Sequence, residues 1–372
     1  MPVKVLIVED MATYRTIISR SIAEIPGVEV VGKASNGRKA LDFLAHNEVD
    51  LITLDVEMPI MDGLATLKDL RQRGDTTDVV MLSGLSDQAA QLTIQCLELG
   101  AIDFVLKPQT SSFVQNQNQL VENLKGIIAN LERNRKFRKK KRPVPTQTRV
   151  AEPKPIKKAP EKPVRRHPPR HVSMLRPKIL LIGISTGGPK ALAEVFENLK
   201  GPLPFSILIV QHMPPTFTKS LAQSLNKKGS IEVVEAMDGD VIQPNTAYIA
   251  KGGMHLCLEK EEDFGLVLTM NQDNPVNSCR PSVDVLFKSV APLFKKNEVI
   301  AIVMTGMGRD GADGCVPLRD AGAYIVSQSE ESCTIYGMPK SVEDEHLQDE
   351  VLDLSEIAPF IDRMGKNPFG PR

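Results

Sequence analysis

Short apolar runs rich in Val, Ile and Leu recur along the chain, alternate with helical patterns, and repeatedly close on a polar residue able to do chemistry. Runs of this length and branching are buried strands, and their alternation with helices predicts doubly wound parallel sheets. In such sheets ligands bind at the carboxyl ends of the strands, so the closing residues are the candidates for function. The sharpest corner is Gly183-Ile184-Ser185-Thr186-Gly187-Gly188-Pro189, entered from Ile179 to Ile184 and followed by a helical pattern from Ala191. Glycines permit a turn that side chains obstruct. A serine there stands above the positive end of a helix, where it can act as a nucleophile and backbone N–H groups can meet an oxyanion. Taken alone, the stretch reads equally well as a phosphate cradle or a tight turn.

At 372 residues the chain has room for two domains. Its 46 basic and 46 acidic residues balance overall but not locally. Residues 133–178 hold eighteen Lys/Arg and two acids, a net +16, so the remainder carries −16. Two acidic modules joined by a basic connector are expected. The cysteines, at 96, 257, 279, 315 and 333, are odd in number and have no C-x-x-C spacing. That argues against a disulfide framework or a zinc site and fits a reducing compartment. With no apolar run long enough for a bilayer and no signal-peptide pattern, a cytoplasmic location is expected.

In the first module, residues 1–125, strands are predicted at Lys4 to Val8, Val28 to Lys33, Asp50 to Leu54, Asp78 to Leu82 and Asp103 to Leu106. Their ends bring Glu9, Asp10, Asp55, Ser83 and Lys107 to one edge. Three crowded carboxylates repel one another and suit a hard cation such as Mg²⁺. Together with Lys107 it can neutralise a phosphoryl group that one carboxylate attacks. One such residue would be a solvated loop residue; five on successive strands are a site. This module resembles the response-regulator receiver domain, on Glu9-Asp10, Asp55-Val56-Glu57-Met58-Pro59, Asp62-Gly63, Ser83 and Lys107-Pro108. The resemblance implies a flavodoxin-like fold and Asp55 as phosphoacceptor. It implies Mg²⁺ held by Glu9, Asp10, Asp55 and the Glu57 carbonyl, with Ser83 and an inward-swinging Phe104 as switch residues. It also allows a cis Lys107–Pro108 bond.

A closing helix is expected over Val121 to Leu131, and residues 126–177 are expected to form a basic Pro/Lys-rich linker. Such a segment buries too little apolar surface to offset its ordering entropy. Nucleic-acid binding or docking onto an acidic surface are the alternatives, and only Phe137 is available there to stack on bases.

In the second module, residues 178–372, strands are predicted at Pro204 to Val210, Glu298 to Met304 and Ala323 to Gln328. A hairpin of Thr246 to Ala250 and Met254 to Leu258, an amphipathic helix over Pro281 to Phe294 and a surface helix around Val342 to Leu352 complete the expectation. Ser185, His212 and Asp310 then fall on one sheet edge. Serine hydrolysis needs a histidine to take the hydroxyl proton and an acid to orient that histidine. Singly, His212 could cap a loop and Asp310 a helix. The order Ser, His, Asp differs from that of α/β-hydrolases, and no G-x-x-x-x-G-K-[ST] is present.

These residues resemble the catalytic domain of chemotaxis protein-glutamate methylesterases, which also act as protein-glutamine glutaminases. The matching stretches are Ile182 to Gly188, Gln211 to Pro215, Arg280-Pro281-Ser282-Val283-Asp284, Met304 to Ala312 and Tyr336-Gly337-Met338-Pro339. The resemblance implies a doubly wound parallel-sheet serine hydrolase with Ser185 as nucleophile, His212 as base and acid, and Asp310 as orienting acid. The Met307 N–H would join the oxyanion hole and Thr186 would flank the nucleophile. No cofactor is implied for hydrolysis. Thr216, Lys251 and Cys279 depart from the family pattern. The implied partners are methyl-accepting chemoreceptors as substrate and a histidine kinase as phosphodonor, with no specific nucleic acid and a monomeric, non-embedded chain. The unphosphorylated receiver would cover the Ser185 edge until phospho-Asp55 loosens it. A catalytically silent regulator and a nucleic-acid-binding regulator are the rival readings.

Overall fold

The computed structural model describes residues 2–108, 112–140 and 175–366. The N-terminal half is a five-stranded parallel sheet in the order β2-β1-β3-β4-β5. Its strands are β1 (Val3–Val8), β2 (Val28–Ala34), β3 (Leu51–Asp55), β4 (Asp78–Ser83) and β5 (Asp103–Leu106). Helices α1 (Ala12–Ala23), α2 (Gly37–Leu44), α3 (Gly63–Gln72), α4 (Asp87–Glu98) and α5 (Phe113–Lys140) alternate with them. Short polar side chains start three of these helices: Asn36, Asp62 and Ser86 accept the backbone N–H of Lys39, Ala65 and Ala89. The strand order reverses between β1 and β3, which places Glu9, Asp10 and Asp55 at the switch point.

The C-terminal half is a seven-stranded parallel sheet in the order β14-β13-β12-β6-β7-β9-β8. Its strands are β6 (Ile179–Ile184), β7 (Ser206–Gln211), β8 (Glu232–Glu235), β9 (Thr246–Ile249), β12 (Val299–Val303), β13 (Tyr324–Gln328) and β14 (Glu350–Leu352). Helices α6 (Gly188–Asn198), α7 (Pro215–Asn226), α8 (Val283–Val290), α9 (Ala312–Asp320), α10 (Met338–Asp344) and α11 (Leu354–Gly365) cover it. Every residue of β6, β7, β12 and β13 is buried, as expected for strands covered on both faces.

The expected hairpin does not form. β9 is fully buried and lies inside the sheet, parallel to β7 and β8, while β10 (His255–Glu261) pairs antiparallel with β11 (Gly265–Asn271) as a separate ribbon. The exposed Glu259, Lys260 and Glu261 suit that surface ribbon, and Lys251 to Gly253 is a connection between layers. The expected surface helix over Val342 to Leu352 is likewise corrected: α10 ends at Asp344 and Glu350–Leu352 is the edge strand β14. Helix α5 runs from Phe113 to Lys140, well beyond the expected Val121 to Leu131, and the Pro/Lys-rich part of the linker reading lies outside the described residues. The cis bonds among the described residues are Gly201–Pro202 and Arg280–Pro281; Lys107–Pro108 is not one of them. No described helix is long and apolar enough to cross a membrane.

The two halves share one contiguous buried cluster, in which Ile94 and Leu97 of α4 continue into Leu192 and Phe196 of α6 and Leu221 of α7.

Candidate active site

Strands β6, β7 and β12 are neighbours, and each delivers one candidate at its carboxyl end. At the β6 corner the Ser185 N–H donates to the Thr305 carbonyl at 2.9 Å, and the Ser185 carbonyl accepts from Gly188 N and Gln211 Nε2 at 2.8 and 3.0 Å. The glycines are obligatory. Gly187 has φ 79°, and a Cβ on Gly188 would fall 1.8 Å from Gln211 Oε1. A Cβ on Gly306 would lie 2.8 Å from the Ser185 Cβ, so the loop carrying Met307 passes directly against the serine. Met307 itself is 46% exposed.

His212 follows β7, and its Nε2 lies 2.8 Å from Asp310 Oδ2. Asp310 is 1% exposed yet richly supplied with donors. Oδ2 also accepts from Val283 N at 2.7 Å; Oδ1 accepts from Ser282 Oγ at 2.7 Å and from Asn277 Nδ2 and Asp284 N at 3.1 Å. Burial alone would raise the Asp310 carboxyl, but the hydrogen bonds from His212, Ser282 and Val283 N hold it well below the usual carboxylate range. Burial alone would lower the imidazole; the partners Asp310 and Cys279 outweigh it and raise His212 to about 9. Asp310 can only accept, so it fixes the neutral-ring proton on Nε2 and leaves the Nδ1 lone pair as the base. Cys279 Sγ lies 3.5 Å from that Nδ1. Among the described residues no hydrogen bond joins the Ser185 hydroxyl to His212.

A buried second carboxylate, Asp284, accepts from Gly311 N and Gly314 N at 2.9 and 2.6 Å and so holds the start of α9, immediately after Asp310. Asn277 Nδ2 bridges the two carboxylates, 2.8 Å from Asp284 and 3.1 Å from Asp310. Burial, then the charge of Asp310, pushes the Asp284 carboxyl up to about 6. Sequence reasoning gave Asn277, Ser282 and Asp284 no role. They lie on a loop and helix start far from Asp310 in sequence, and the available signal was that Ser282 and Asp284 fall in the family-matching stretch Arg280 to Asp284.

The N-terminal edge is built differently. Lys107 Nζ lies 2.8 Å from Glu9 Oε2 and 2.6 Å from Asp55 Oδ2, and Glu57 N donates to Asp55 Oδ1 at 3.3 Å. Ser83 Oγ accepts from Thr93 Oγ1 at 2.8 Å. Burial, then the Asp55 charge, pushes Glu9 up to about 7 against the pull of Lys107, and burial raises Asp55 as well. One oxygen from each of Glu9, Asp10 and Asp55 lies within 4.8 Å of the others. Two buried acids and a third beside them, answered by one lysine, fit a hard divalent cation.

The halves meet over the Ser185 edge. Thr186 Oγ1 donates to Asp103 Oδ2 at 2.7 Å, and the Phe104 ring stacks on Phe217 of α7 at 4.4 Å. Ser224 Oγ donates to Glu98 at 2.6 Å, with Lys228 Nζ 3.4 Å from the same carboxylate. A Cβ on Gly126 of α5 would come within 3.3 Å of the Met307 Cε. Phe104 thus faces the second module. Asp103 is half-buried, and desolvation pushes its carboxyl up to about 6 against the hydrogen bonds from Thr186 and the Phe104 N–H.

The family model described as CheB methylesterase matches residues 180–361, and the one described as Response regulator receiver domain matches residues 5–118. A protein-glutamate methylesterase/protein-glutamine glutaminase of Desulfotalea psychrophila is 44% identical over 363 residues, covering 96% of this chain and 97% of that one. Relatives with the same name from Halalkalibacterium halodurans and Treponema denticola are 40% and 39% identical, each covering 98% of this chain and 99% and 98% of their own lengths. The chain therefore belongs to the CheB methylesterase family, with a response regulator receiver domain at its N-terminus.

Proposed function

We propose that this chain is a phosphorylation-controlled serine hydrolase that removes methyl groups from glutamate methyl esters on chemoreceptors and deamidates receptor glutamines. The observation that carries the hydrolytic reading is the 2.8 Å His212–Asp310 pair beside the glycine corner that presents Ser185. Asp310 holds the ring through Nε2, and Nδ1 takes the Ser185 proton as Oγ attacks the ester carbonyl. Backbone N–H groups of the loop through Met307 meet the oxyanion. His212 then returns the proton to the leaving methoxide, methanol departs, and water repeats the cycle on the acyl-enzyme to release glutamate. With glutamine the same steps release ammonia. No cofactor enters these steps.

In the receiver, Asp55 is the phosphoacceptor, and Glu9, Asp10, Asp55 and the Glu57 carbonyl would hold Mg²⁺. When bound, the ion would supply positive charge against the incoming phosphoryl group. Lys107 holds the Asp55 carboxylate, and Ser83 lies at the neighbouring strand end. The phosphodonor is a histidine kinase. Contacts from Asp103, Phe104, Glu98 and Gly126 reach Thr186, α7 and the Met307 loop, so the unphosphorylated receiver restrains the Ser185 corner and the loop that meets the oxyanion. Phosphorylation activates by favouring the arrangement in which those contacts are released.

The test is methanol release from methylated chemoreceptor membranes, with and without a small phosphodonor and Mg²⁺, beside Ser185→Ala. Release that rises with the phosphodonor and disappears in Ser185→Ala is expected. Release unchanged in that variant removes Ser185 as nucleophile.

A further inference from the structure

We propose that Cys279 and His212 together form a binding site for a soft divalent cation such as Zn²⁺, at the heart of the hydrolase centre. Asp310 fixes the imidazole proton on Nε2, 2.8 Å away, so the Nδ1 lone pair points outward from that pair. Cys279 Sγ stands 3.5 Å from Nδ1. A thiolate and an imidazole nitrogen at about 2.3 and 2.1 Å on one tetrahedral ion lie about 3.6 Å apart, so the two donors are already spaced for a shared ion. The carboxylate behind the ring is the partner that metal-bound histidines characteristically use to set tautomer and orientation. One oxygen of Asp310 also lies within 4.8 Å of the sulfur and a ring nitrogen.

The thiol is held there by its own loop. Asn277 and Ser278 both take left-handed conformations, φ 51° and 63°, which non-glycine residues adopt at a cost. Val276 and Cys279 exchange backbone hydrogen bonds of 2.8 and 3.1 Å, and Arg280 Nη1 anchors the segment on the Gln272 and Asp273 carbonyls. Cys279 is only partly buried, so an ion in solution can reach it. Among the described residues no other cysteine is hydrogen-bonded to a histidine ring. Binding is a proton exchange: the Cys279 S–H bond breaks as an S–metal bond forms, Nδ1 gives up the proton it carries below about pH 9 and its pair becomes a ligand, and both protons leave to solvent. Water fills the remaining positions. An ion so held occupies the lone pair that the proposed hydrolysis assigns to the Ser185 proton, so occupancy shuts the enzyme off. Only this inhibition rests on the proposed function; the binding does not.

Cobalt is the spectroscopic probe. The reduced full-length chain, kept in excess Mg²⁺ to satisfy the receiver carboxylates, is titrated with Co²⁺ and read by near-ultraviolet thiolate-to-cobalt absorption. A saturable band at one ion per chain, abolished in Cys279→Ser, is expected, with Zn²⁺ displacing it. In the hydrolysis assay Zn²⁺ inhibits, a chelator reverses it, and Cys279→Ser raises the half-inhibiting Zn²⁺ concentration by about tenfold or more. Cys279→His supplies a different donor at the same place, so it loses the band yet keeps Zn²⁺ sensitivity within a few-fold of the parent. No band in the parent chain, or a band that survives Cys279→Ser, overturns the site. Where a band forms without Zn²⁺ inhibition, His212→Gln decides: loss of the band upholds the site and removes the reading of His212 as the base, and survival of the band overturns the shared site.

Discussion

Two buried carboxylates, Asp55 at the end of β3 and Asp310 in the loop after β12, lie at the carboxyl edges of two parallel sheets, yet they are electrostatic opposites. Asp310 collects donors from His212, Val283 N, Ser282, Asn277 and Asp284 N, and is held well below the usual carboxylate range despite its burial. Asp55 shares Lys107 with Glu9 and sits beside a second acid, so burial wins and its carboxyl rises. Topology puts a carboxylate at a strand end; the local supply of donors decides what it can do. A carboxylate with many donors stays charged and immobile, which suits an orienting acid. One with few donors and a like-charged neighbour gains from a cation, which suits a phosphoacceptor that works with Mg²⁺.

The largest expected effect removes the charge at the donor-rich end. Asp310→Asn keeps the shape but presents an amide to His212, and kcat for methanol release should fall by about 10³-fold or more. The same variant sharpens the pH comparison. Hydrolysis needs the neutral ring, so with His212 raised to about 9 the rate climbs with pH up to that region and falls as the ring protonates below it. Losing the carboxylate should move this limb of the pH–rate profile to lower pH; an unmoved limb would detach it from the His212–Asp310 pair.

Next in size is the contact joining the two centres. Phe104→Ala deletes the stack on Phe217 and should raise the basal rate without phosphodonor by about tenfold, while shrinking the further gain on phosphorylation. An unchanged basal rate would mean that this stack does not restrain the site. Ser282→Ala removes one of five donors to Asp310 and should slow hydrolysis only several-fold, about 1 kcal/mol, with the remaining four donors keeping the acid charged. A loss as large as that of Asp310→Asn would show that donor number is not what distinguishes the two carboxylates.

The smallest effect is on stability. Glu9 is raised from 4.5 to about 7, so the folded state holds a proton that the unfolded chain has lost, and stability falls as pH rises across that interval. Mg²⁺ should therefore stabilise the receiver by a few degrees at pH 8 and hardly at all at pH 5, read as a shift in thermal midpoint, and Glu9→Gln should shrink the difference. Equal shifts at both pH values would break the account of Asp55 as a carboxylate short of donors.

Much of the fold was legible because a strand buried on both faces is written as a continuous apolar run. Ile179 to Ile184 and Glu298 to Met304 could hardly be placed otherwise. Local pattern and tertiary place diverge elsewhere. Thr246 to Ala250 and Met254 to Leu258 look like partners across Lys251-Gly252-Gly253, yet a Cβ on Gly252 would meet the Pro214–Pro215 backbone at 2.4 Å, so that loop packs on the segment after His212 instead of turning back. Glu350–Leu352 is too short to announce a strand and exists because β13 offers it an edge.

By itself the sequence determined which residues close the strands, and with them the positions of Ser185, His212, Asp310, Glu9, Asp55 and Lys107 at two sheet edges. That information is local, since strand length and the glycine corner are written in consecutive residues. Only the tertiary structure decided which histidine nitrogen meets Asp310, that Asn277 bridges two carboxylates, that Cys279 faces Nδ1, and that Asp103 and Phe104 close over the Ser185 edge. Those are contacts between side chains far apart in sequence, and their hydrogen-bond geometry is fixed only when the elements pack.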